Sequence, residues 1–380
     1  MSAHSTPVER PAVATALRHV LSHLVVPVLL ASGMALAYLG AFHQPEPHGV
    51  RLDVVGSGPQ VSVLAATLQD QLGDRAAVRS VPTVGEARNA LLHREISGAY
   101  VPDETRPTML LASAASDTTA VTVEKMLAPV ALAQDRPLQI QDVAAPADTD
   151  PTGQGVFFYL VALTVGAYSG AIAIAAAGGR LPMRIRALLA VGAAALISLI
   201  ATLVAGPLYG AIPAAVVQIG LLAWLYTTAV MLVGVGLHTF LGRWTTGTMV
   251  GLFVMLNFTS SGGIFAPDMQ PGFFAALHSF WIGRGLVEAG RDLAYFPAVG
   301  IGSHVTVLVL WLLAGLALTA AAAGVERRRA MSTARPAVGG SVATTAGTSV
   351  GTTERTTEPS AVGTTDAAVE EELEEAVPVG

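Results

Sequence analysis

Four charged residues lie close together late in the chain, within an otherwise apolar stretch. They are Arg284, Glu288, Arg291 and Asp292, at positions i, i+4, i+7 and i+8. On a helix this spacing places Arg284 beside Glu288 and Glu288 beside Arg291, so that each pair is expected to form an ion pair. Charges near membrane depth are costly and usually pair with each other or line a polar cavity. Two interpretations remain open: a salt-bridged helix at the outer surface, and a group that contacts a substrate directly.

Several other kinds of site are excluded by residue type. The chain has no cysteine, which excludes disulfides, thiolate metal sites and cysteine nucleophiles. Its only lysine is Lys125, so a P-loop, whose glycines are followed by a lysine, is excluded as well. No nucleophile, base and orienting group occur at a recognisable spacing, and we therefore expect neither an enzyme nor a cofactor.

Two short motifs resemble ligand sites but favour structural roles. Gly56-Ser57-Gly58 precedes a helical pattern, yet Val61 stands where a dinucleotide loop needs its third glycine, which indicates a turn. His43, Glu46 and His48 are of zinc-binding types. Two intervening prolines keep that segment extended and a fourth ligand is not evident, so we expect a linker and no metal.

The composition of the chain indicates what kind of element would position the charged residues. Of 380 residues, 52% are apolar and 13% are charged, and the mean hydropathy is +0.57. Soluble domains carry about 25% charged residues. This shortfall excludes disordered and nucleic-acid-binding chains, and it predicts that much of the chain contacts the lipid bilayer.

Charge-free windows predict the membrane spans, because a spanning helix needs about 20 mostly apolar residues. Six windows meet this requirement: 24–42, 155–179, 187–207, 213–238, 244–266 and 303–325. If the chain crosses the membrane six times, the arginines that flank these windows lie on one side of the membrane. That side is then cytoplasmic. We therefore predict a multi-pass protein of the plasma membrane with both termini inside. A signal-peptidase site at Ala35-Leu36-Ala37 is the alternative for the first window, but the apolar run continues to Phe42.

Residues 43–153 interrupt the membrane pattern and are expected outside the cell. Their strand-like and helix-like stretches alternate, which predicts a small α/β domain. The predicted strands are 50–55, 77–81, 97–101, 108–112 and 138–143, and the predicted helices are 59–72, 84–94 and 118–133. Residues 327–380 are rich in Thr, Ala and Gly and end in acidic residues, so we expect a disordered acidic cytoplasmic tail. The fold class is an α-helical polytopic membrane protein with six spans and an inserted extracytoplasmic α/β domain.

A series of motifs follows the fifth window. Gly262, Gly263, Phe265 and Pro267 form a G-G-x-F-x-P turn, and Pro271 then precedes an apolar stretch too short to cross the bilayer. A short amphipathic segment that includes Arg284, Glu288 and Arg291 comes next. This series resembles the exit of the fifth helix in type-2 ABC exporter permeases. The branch similar to phage-infection proteins also has a large outside domain between helices one and two.

The resemblance implies a division of the chain and a set of roles. Residues 1–23 would be a cytoplasmic N-terminus with an interfacial elbow helix, 24–42 the first transmembrane helix, and 154–326 the other five. Residues 266–297 would be a re-entrant segment that forms an outer gate. Arg180, Arg184 and Arg186 would be the coupling segment that meets a cytoplasmic ATPase subunit, and two permease chains would pair, as a homodimer or with a second permease. Trp281-Ile282-Gly283-Arg284 replaces the family's Pro-Leu/Phe-Thr-Tyr run, so its substrate preferences are not carried over.

The expected function is outward transport of an amphipathic or lipid-like substrate, driven by ATP hydrolysis in the separate subunit. The alternative is a membrane-anchored extracytoplasmic binding or scaffold protein, whose helices only associate with each other.

Overall fold

A computed structural model describes residues 10–132 and 137–333 of the chain. Within these residues the protein is mostly helical and contains one mixed β-sheet. The expectations for residues 1–9 and for the tail from residue 334 onward fall outside the described residues. Residues 327–333, which we expected in the tail, instead continue the last helix, α12 (Gly302–Thr333).

The first helix, α1, runs without a break from Arg10 to Phe42. The predicted elbow helix is therefore not a separate element within the described residues, because residues 10–23 continue directly into the apolar span. Pro27 lies inside α1 and does not end it.

The sheet lies within the segment that was predicted to be α/β. Its five strands are arranged in the order β2-β1-β3-β4-β5, in which β1 is parallel to β2 and β3, β3 is antiparallel to β4, and β4 is parallel to β5. The strands are β1 (Val50–Val55), β2 (Ala76–Val81), β3 (Gly98–Val101), β4 (Thr108–Leu111) and β5 (Gln139–Asp142). The helices of this segment are α2 (Pro59–Leu72), α3 (Val84–Leu92) and α4 (Asp117–Leu132). Two of the eight elements have their predicted bounds and the other six lie within two residues of them, because short periodic stretches separated by turn residues carry a strong local signal.

Five helical segments among the described residues are long and apolar enough to cross a membrane. They are Val13–Phe42, Gly155–Ala177, Met183–Leu208, Val216–Ser260 and Gly302–Ser332. The count is one fewer than the six predicted windows, because the fourth and fifth windows belong to a single helical segment of 45 residues.

That 45-residue segment folds back on itself at Gly242. Gly242 has φ 53°, a left-handed conformation that glycine adopts at little cost, and it ends α7 (Val216–Leu241). The returning limb comprises α8 (Thr245–Val250), a π-helical stretch Gly251–Leu256, and α9 (Asn257–Ser260). The side-chain amide of Asn257 donates to the Tyr226 hydroxyl at 2.9 Å. In a straight helix these residues would be about 46 Å apart, so the two limbs form a hairpin.

The helical core is centred on α7, which contacts α5 (Gly155–Ala177), α6 (Met183–Leu203) and α12. Small residues permit the closest approach: a Cβ at Gly236 would lie 2.9 Å from Leu318 of α12, and one at Gly315 would lie 3.0 Å from Leu232 of α7. Two short helices, α10 (Gly272–His278) and α11 (Ile282–Tyr295), lie between the hairpin and α12 in the chain. Most of α11 is buried, and it packs against α5, α7, α9 and α12.

Candidate functional site

Three of the four charged residues of α11 are buried where this helix meets the α/β segment. Glu288, Arg291 and Asp292 are each at most 5% exposed. Arg291 Nη1 donates to Glu288 Oε1 at 2.8 Å, which confirms the predicted pairing of these two residues. The cluster is therefore an internal one rather than a salt-bridged surface helix.

The predicted pair between Arg284 and Glu288 does not form. Arg284 Nη1 donates instead to the backbone carbonyl of Ser279, at 2.8 Å. Glu288 uses both carboxylate oxygens elsewhere, since Oε1 accepts from Arg291 and Oε2 from a residue of the α/β segment, Arg94. The helical spacing alone did not reveal this long-range competitor.

Arg94 is part of this site, although no pattern in the sequence predicts it. It lies in the turn after α3 and has φ 58°, an uncommon conformation for a residue with a side chain. Its two terminal nitrogens donate to Glu288 Oε2 at 2.5 Å and to Asp292 Oδ1 at 2.6 Å. The guanidinium also lies 5.6 Å from the ring centroid of Phe296. No local motif marks Arg94, because its partners stand about 200 positions later in the chain.

Two histidines flank the charged residues. His304, in the first turn of α12, places Nε2 3.1 Å from Asp292 Oδ2, while its Nδ1 is buried without a hydrogen-bond partner. His278, at the end of α10, has Nδ1 2.9 Å from the carbonyl oxygen of Ser260. We name Arg94, Glu288, Arg291, Asp292 and His304 the charge cluster.

The electrostatics of the charge cluster follow from the balance between its positive and negative charges. Burial alone would raise the pKa of Glu288, but the guanidiniums of Arg94 and Arg291 bring that pKa well below its ordinary value. Burial alone would lower the pKa of Arg94, but the carboxylates of Glu288 and Asp292 raise it. Two guanidiniums thus neutralise two carboxylates, which is the condition under which buried charges are tolerated.

The two glycines of the predicted turn are closely packed, Gly262 against the charge cluster and Gly263 against α5. Gly262 has φ 78°, and a Cβ there would lie 2.8 Å from Glu288 Oε1 and from His278 Cε1. Its carbonyl oxygen accepts from Arg291 Nη2 at 3.3 Å. A Cβ at Gly263 would lie 2.2 Å from the ring of Phe157. Both glycines are therefore required by close approach, in the place where the motif predicted a turn.

The other residues assigned to the outer gate form the connection to the sheet. Phe265 packs against the core of the α/β segment, and its ring centroid lies 5.6 Å from that of Phe42 in α1. Pro267 begins a single 3₁₀ turn, Pro267–Met269, and Pro271 directly precedes α10. These residues hold the α/β segment, α1 and the short helices together.

The three arginines of the predicted coupling segment have different surroundings. Arg180 and Arg184 are exposed, whereas Arg186 is 4% exposed and forms an ion pair with Glu326 of α12. Glu326 also accepts from the Thr239 hydroxyl at 3.0 Å. Arg186 thus joins α6, α7 and α12, which leaves Arg180 and Arg184 accessible to a partner.

The charge cluster joins the α/β segment to α11 and α12 through side-chain contacts. In the part of the chain that the structure describes, no group of three or more His, Asp or Glu side chains is placed to hold a metal ion.

Comparisons with protein-family models, curated proteins and solved structures found no match to the chain.

Proposed function

We propose that this chain is the membrane-spanning permease subunit of an ABC-type exporter, which moves an amphipathic or lipid-like substrate outward using a separate cytoplasmic ATPase. The observation that carries the proposal is the pair of short helices α10 and α11, placed between the hairpin and α12 and tied to the α/β segment through Arg94. Each of these two helices is too short to cross the bilayer. A re-entrant outer gate requires short helices at this place in the chain, between the hairpin and α12.

The proposal includes six membrane passes. A straight helix of 45 residues would be about 68 Å long, more than twice the bilayer core of about 30 Å. The fold-back at Gly242 divides Val216–Ser260 into two limbs, each of which we assign to one pass. Both termini then lie on the cytoplasmic side of the plasma membrane, where Arg180, Arg184 and Arg243 also lie, and the α/β segment lies outside.

The proposal of an amphipathic substrate is supported by an apolar groove. It lies between α5 and α6, has a volume of about 620 Å³, and is lined by side chains that include Phe158, Ile197 and Ile200. Among the described residues, Asp150 is the one charged residue that lines the groove, and it is nearly buried. A surface that combines apolar walls with a single carboxylate suits a molecule with an apolar chain and a polar head.

The pairing of two permease chains is supported by α1. Its outward side chains, such as Leu36 and Leu39, are more than 60% exposed, and no residue in its most apolar window is buried. We propose that lipid and a second permease chain cover this helix. A scaffold protein would also expose such a helix, and the ATPase therefore distinguishes the two functions.

The experiment is co-purification of an ATPase from native membranes in mild detergent. We expect Arg180→Glu combined with Arg184→Glu to reduce the recovered ATPase about tenfold, because these two arginines are exposed. Arg88→Glu in the α/β segment is the matched control and should leave the recovery unchanged. Arg186→Glu is not used, because it would place two carboxylates together at Glu326. If the wild-type chain retains no ATPase, or if recovery ignores both substitutions, the exporter proposal is wrong and the scaffold remains.

A further inference from the structure

A polar cavity separates the α/β segment from the turn that precedes α10. It has a volume of about 230 Å³ and is lined by Arg51 of β1, Ser97 before β3, Thr119 of α4, and Asp268 of the 3₁₀ turn. Arg94, which binds Glu288 and Asp292, also lines it. The cavity is smaller than the 300 to 1,000 Å³ typical of pockets for drug-sized ligands, so it suits a small molecule or a single headgroup.

Two opposite charges face this cavity without forming an ion pair. Arg51 Nη2 donates to the backbone carbonyl of Arg94 at 3.2 Å, and none of its nitrogens lies within 4.0 Å of an Asp268 oxygen. The positive charge of Arg51 nevertheless acts on Asp268 and opposes the rise in pKa that burial causes there. Arg51 and Asp268 are therefore near enough to interact electrostatically, but they leave room for a ligand between them.

Asp268 also retains hydrogen-bonding capacity. Its Oδ1 is buried and accepts no hydrogen bond from the described residues. A buried acceptor without a partner costs free energy and occurs rarely in native proteins. The carboxylate of Asp268, which lines the cavity, is therefore short of hydrogen-bond donors from the protein.

We propose that this cavity binds a small zwitterion, with its oxyanion on Arg51 and its primary ammonium group on Asp268. Arg51 and Asp268 have opposite charges that sum to zero, so a ligand with both charges satisfies each residue and leaves the cavity neutral. An ethanolamine phosphodiester has this chemistry, both in the soluble molecule glycerophosphoethanolamine and in the headgroup of phosphatidylethanolamine. The inference does not depend on transport, since binding requires no ATPase.

The ligand would also act on the contact between the two layers. It would lie against Arg94, whose guanidinium binds Glu288 and Asp292 of α11, and it would join β1 to the turn at Asp268. Occupancy is therefore expected to hold the α/β segment against the short helices.

The test is calorimetric titration of the full chain, purified in detergent, with free glycerophosphoethanolamine. We expect saturable binding that Asp268→Asn and Arg51→Gln each weaken at least tenfold, since each removes one charge without changing the size of the side chain greatly. Asp70→Asn and Arg88→Gln are the matched controls; both residues are exposed on the α/β segment, away from the cavity, and their variants should bind like the wild type.

A second arm distinguishes the source of the zwitterion. The chain is placed in nanodiscs of phosphatidylglycerol with or without phosphatidylethanolamine, and hydrogen exchange at residues 94–98 and 266–269 is compared. Protection that requires phosphatidylethanolamine, is lost in Arg51→Gln and persists in Arg88→Gln supports a lipid headgroup, and titration with the free compound supports a soluble ligand. If neither arm shows binding by the wild-type chain, or if Asp268→Asn and Arg51→Gln bind like their controls, the cavity holds only water and the proposal is overturned.

Discussion

Arg94 supplies positive charge to two carboxylates that lie inside the protein. Its guanidinium is the shared partner of Glu288 and Asp292, and both carboxylates are almost inaccessible to water. Without it, Arg291 would be the only arginine or lysine paired with these carboxylates among the described residues. A single arginine from the α/β segment therefore determines whether α11 can keep its charges buried.

Arg94→Met should destabilise the protein by about 3 to 5 kcal/mol, which is the usual cost of removing one partner of a buried ion pair. The measurement is thermal denaturation in detergent at pH 7, compared with the wild type. Arg88→Met is the matched control, because Arg88 is exposed on α3 and forms no ion pair with a described residue, and we expect that change to cost about 0.5 kcal/mol or less. Equal effects of the two substitutions would show that Arg94 contributes no more than an exposed side chain.

Glu288 makes the stability depend on pH in a defined direction. Its pKa in the folded protein is well below its ordinary value of 4.5, so the unfolded chain binds more protons there and stability rises with pH. The contribution is complete above about pH 5 and is lost as the pH falls through 4.5 toward the lower folded value. Asp268 acts in the opposite direction, because burial raises its pKa and penalises the ionised form.

We therefore expect the melting temperature of the wild type to be level between pH 7 and 5 and to fall between pH 5 and 3. Glu288→Gln should lower the melting temperature at pH 7 and flatten the acidic decline, because the group that takes up the proton is gone. Glu86→Gln, at an exposed position in the first turn of α3, is the control and should keep the wild-type profile. A Glu288→Gln profile parallel to the wild type would contradict the assignment.

At the scale of elements, the sequence predicts well wherever the signal is local. The strands and helices of the α/β segment, the turn at Gly262 and Gly263, and the pairing of Glu288 with Arg291 all follow from spacings of a few residues. Arg94 could not be predicted, because its partners are distant in the chain, and Arg186 was assigned to a surface because nothing near it in sequence indicates Glu326. Long-range ion pairs depend on the tertiary arrangement, which residue spacing does not encode.

The turn at Gly262 links α9 to the charge cluster and tolerates no side chain. Gly262→Ala should destabilise the protein by about 1 to 3 kcal/mol, because alanine would adopt φ 78° and place its Cβ 2.8 Å from Glu288 Oε1. Gly247→Ala in α8 is the matched control, since no atom lies within 4 Å of a Cβ there, and helix propensity favours alanine by up to about 1 kcal/mol. Thermal denaturation of both variants measures the difference, and a Gly262→Ala variant as stable as the wild type would show that the turn relaxes freely.

For the whole molecule, the charge pattern and the hairpin both favour the proposed topology. The fold-back at Gly242 reverses the chain, and the six proposed passes would place the arginine-flanked turns on one side and the α/β segment on the other. The mild net charge of −6 hides this asymmetry, because the acidic segment 43–153 offsets the arginines that flank the spans. The natural absence of cysteine makes the arrangement directly measurable, since an introduced cysteine is the only thiol in the chain.

Single cysteines at Arg88, Gly300, Gly179 and Arg243 should divide into two groups when intact cells are treated with a membrane-impermeant maleimide. We expect Arg88→Cys and Gly300→Cys to react, because they lie in the α/β segment and in the turn between α11 and α12. Gly179→Cys and Arg243→Cys should react only after the membrane is permeabilised, because they lie in the turns between α5 and α6 and between the limbs of the hairpin. All four positions are exposed or half-exposed in the protein, so lack of reaction reports the membrane and not burial. Labelling of Arg243→Cys in intact cells would contradict six passes, since it would place the hairpin turn on the same side as the α/β segment.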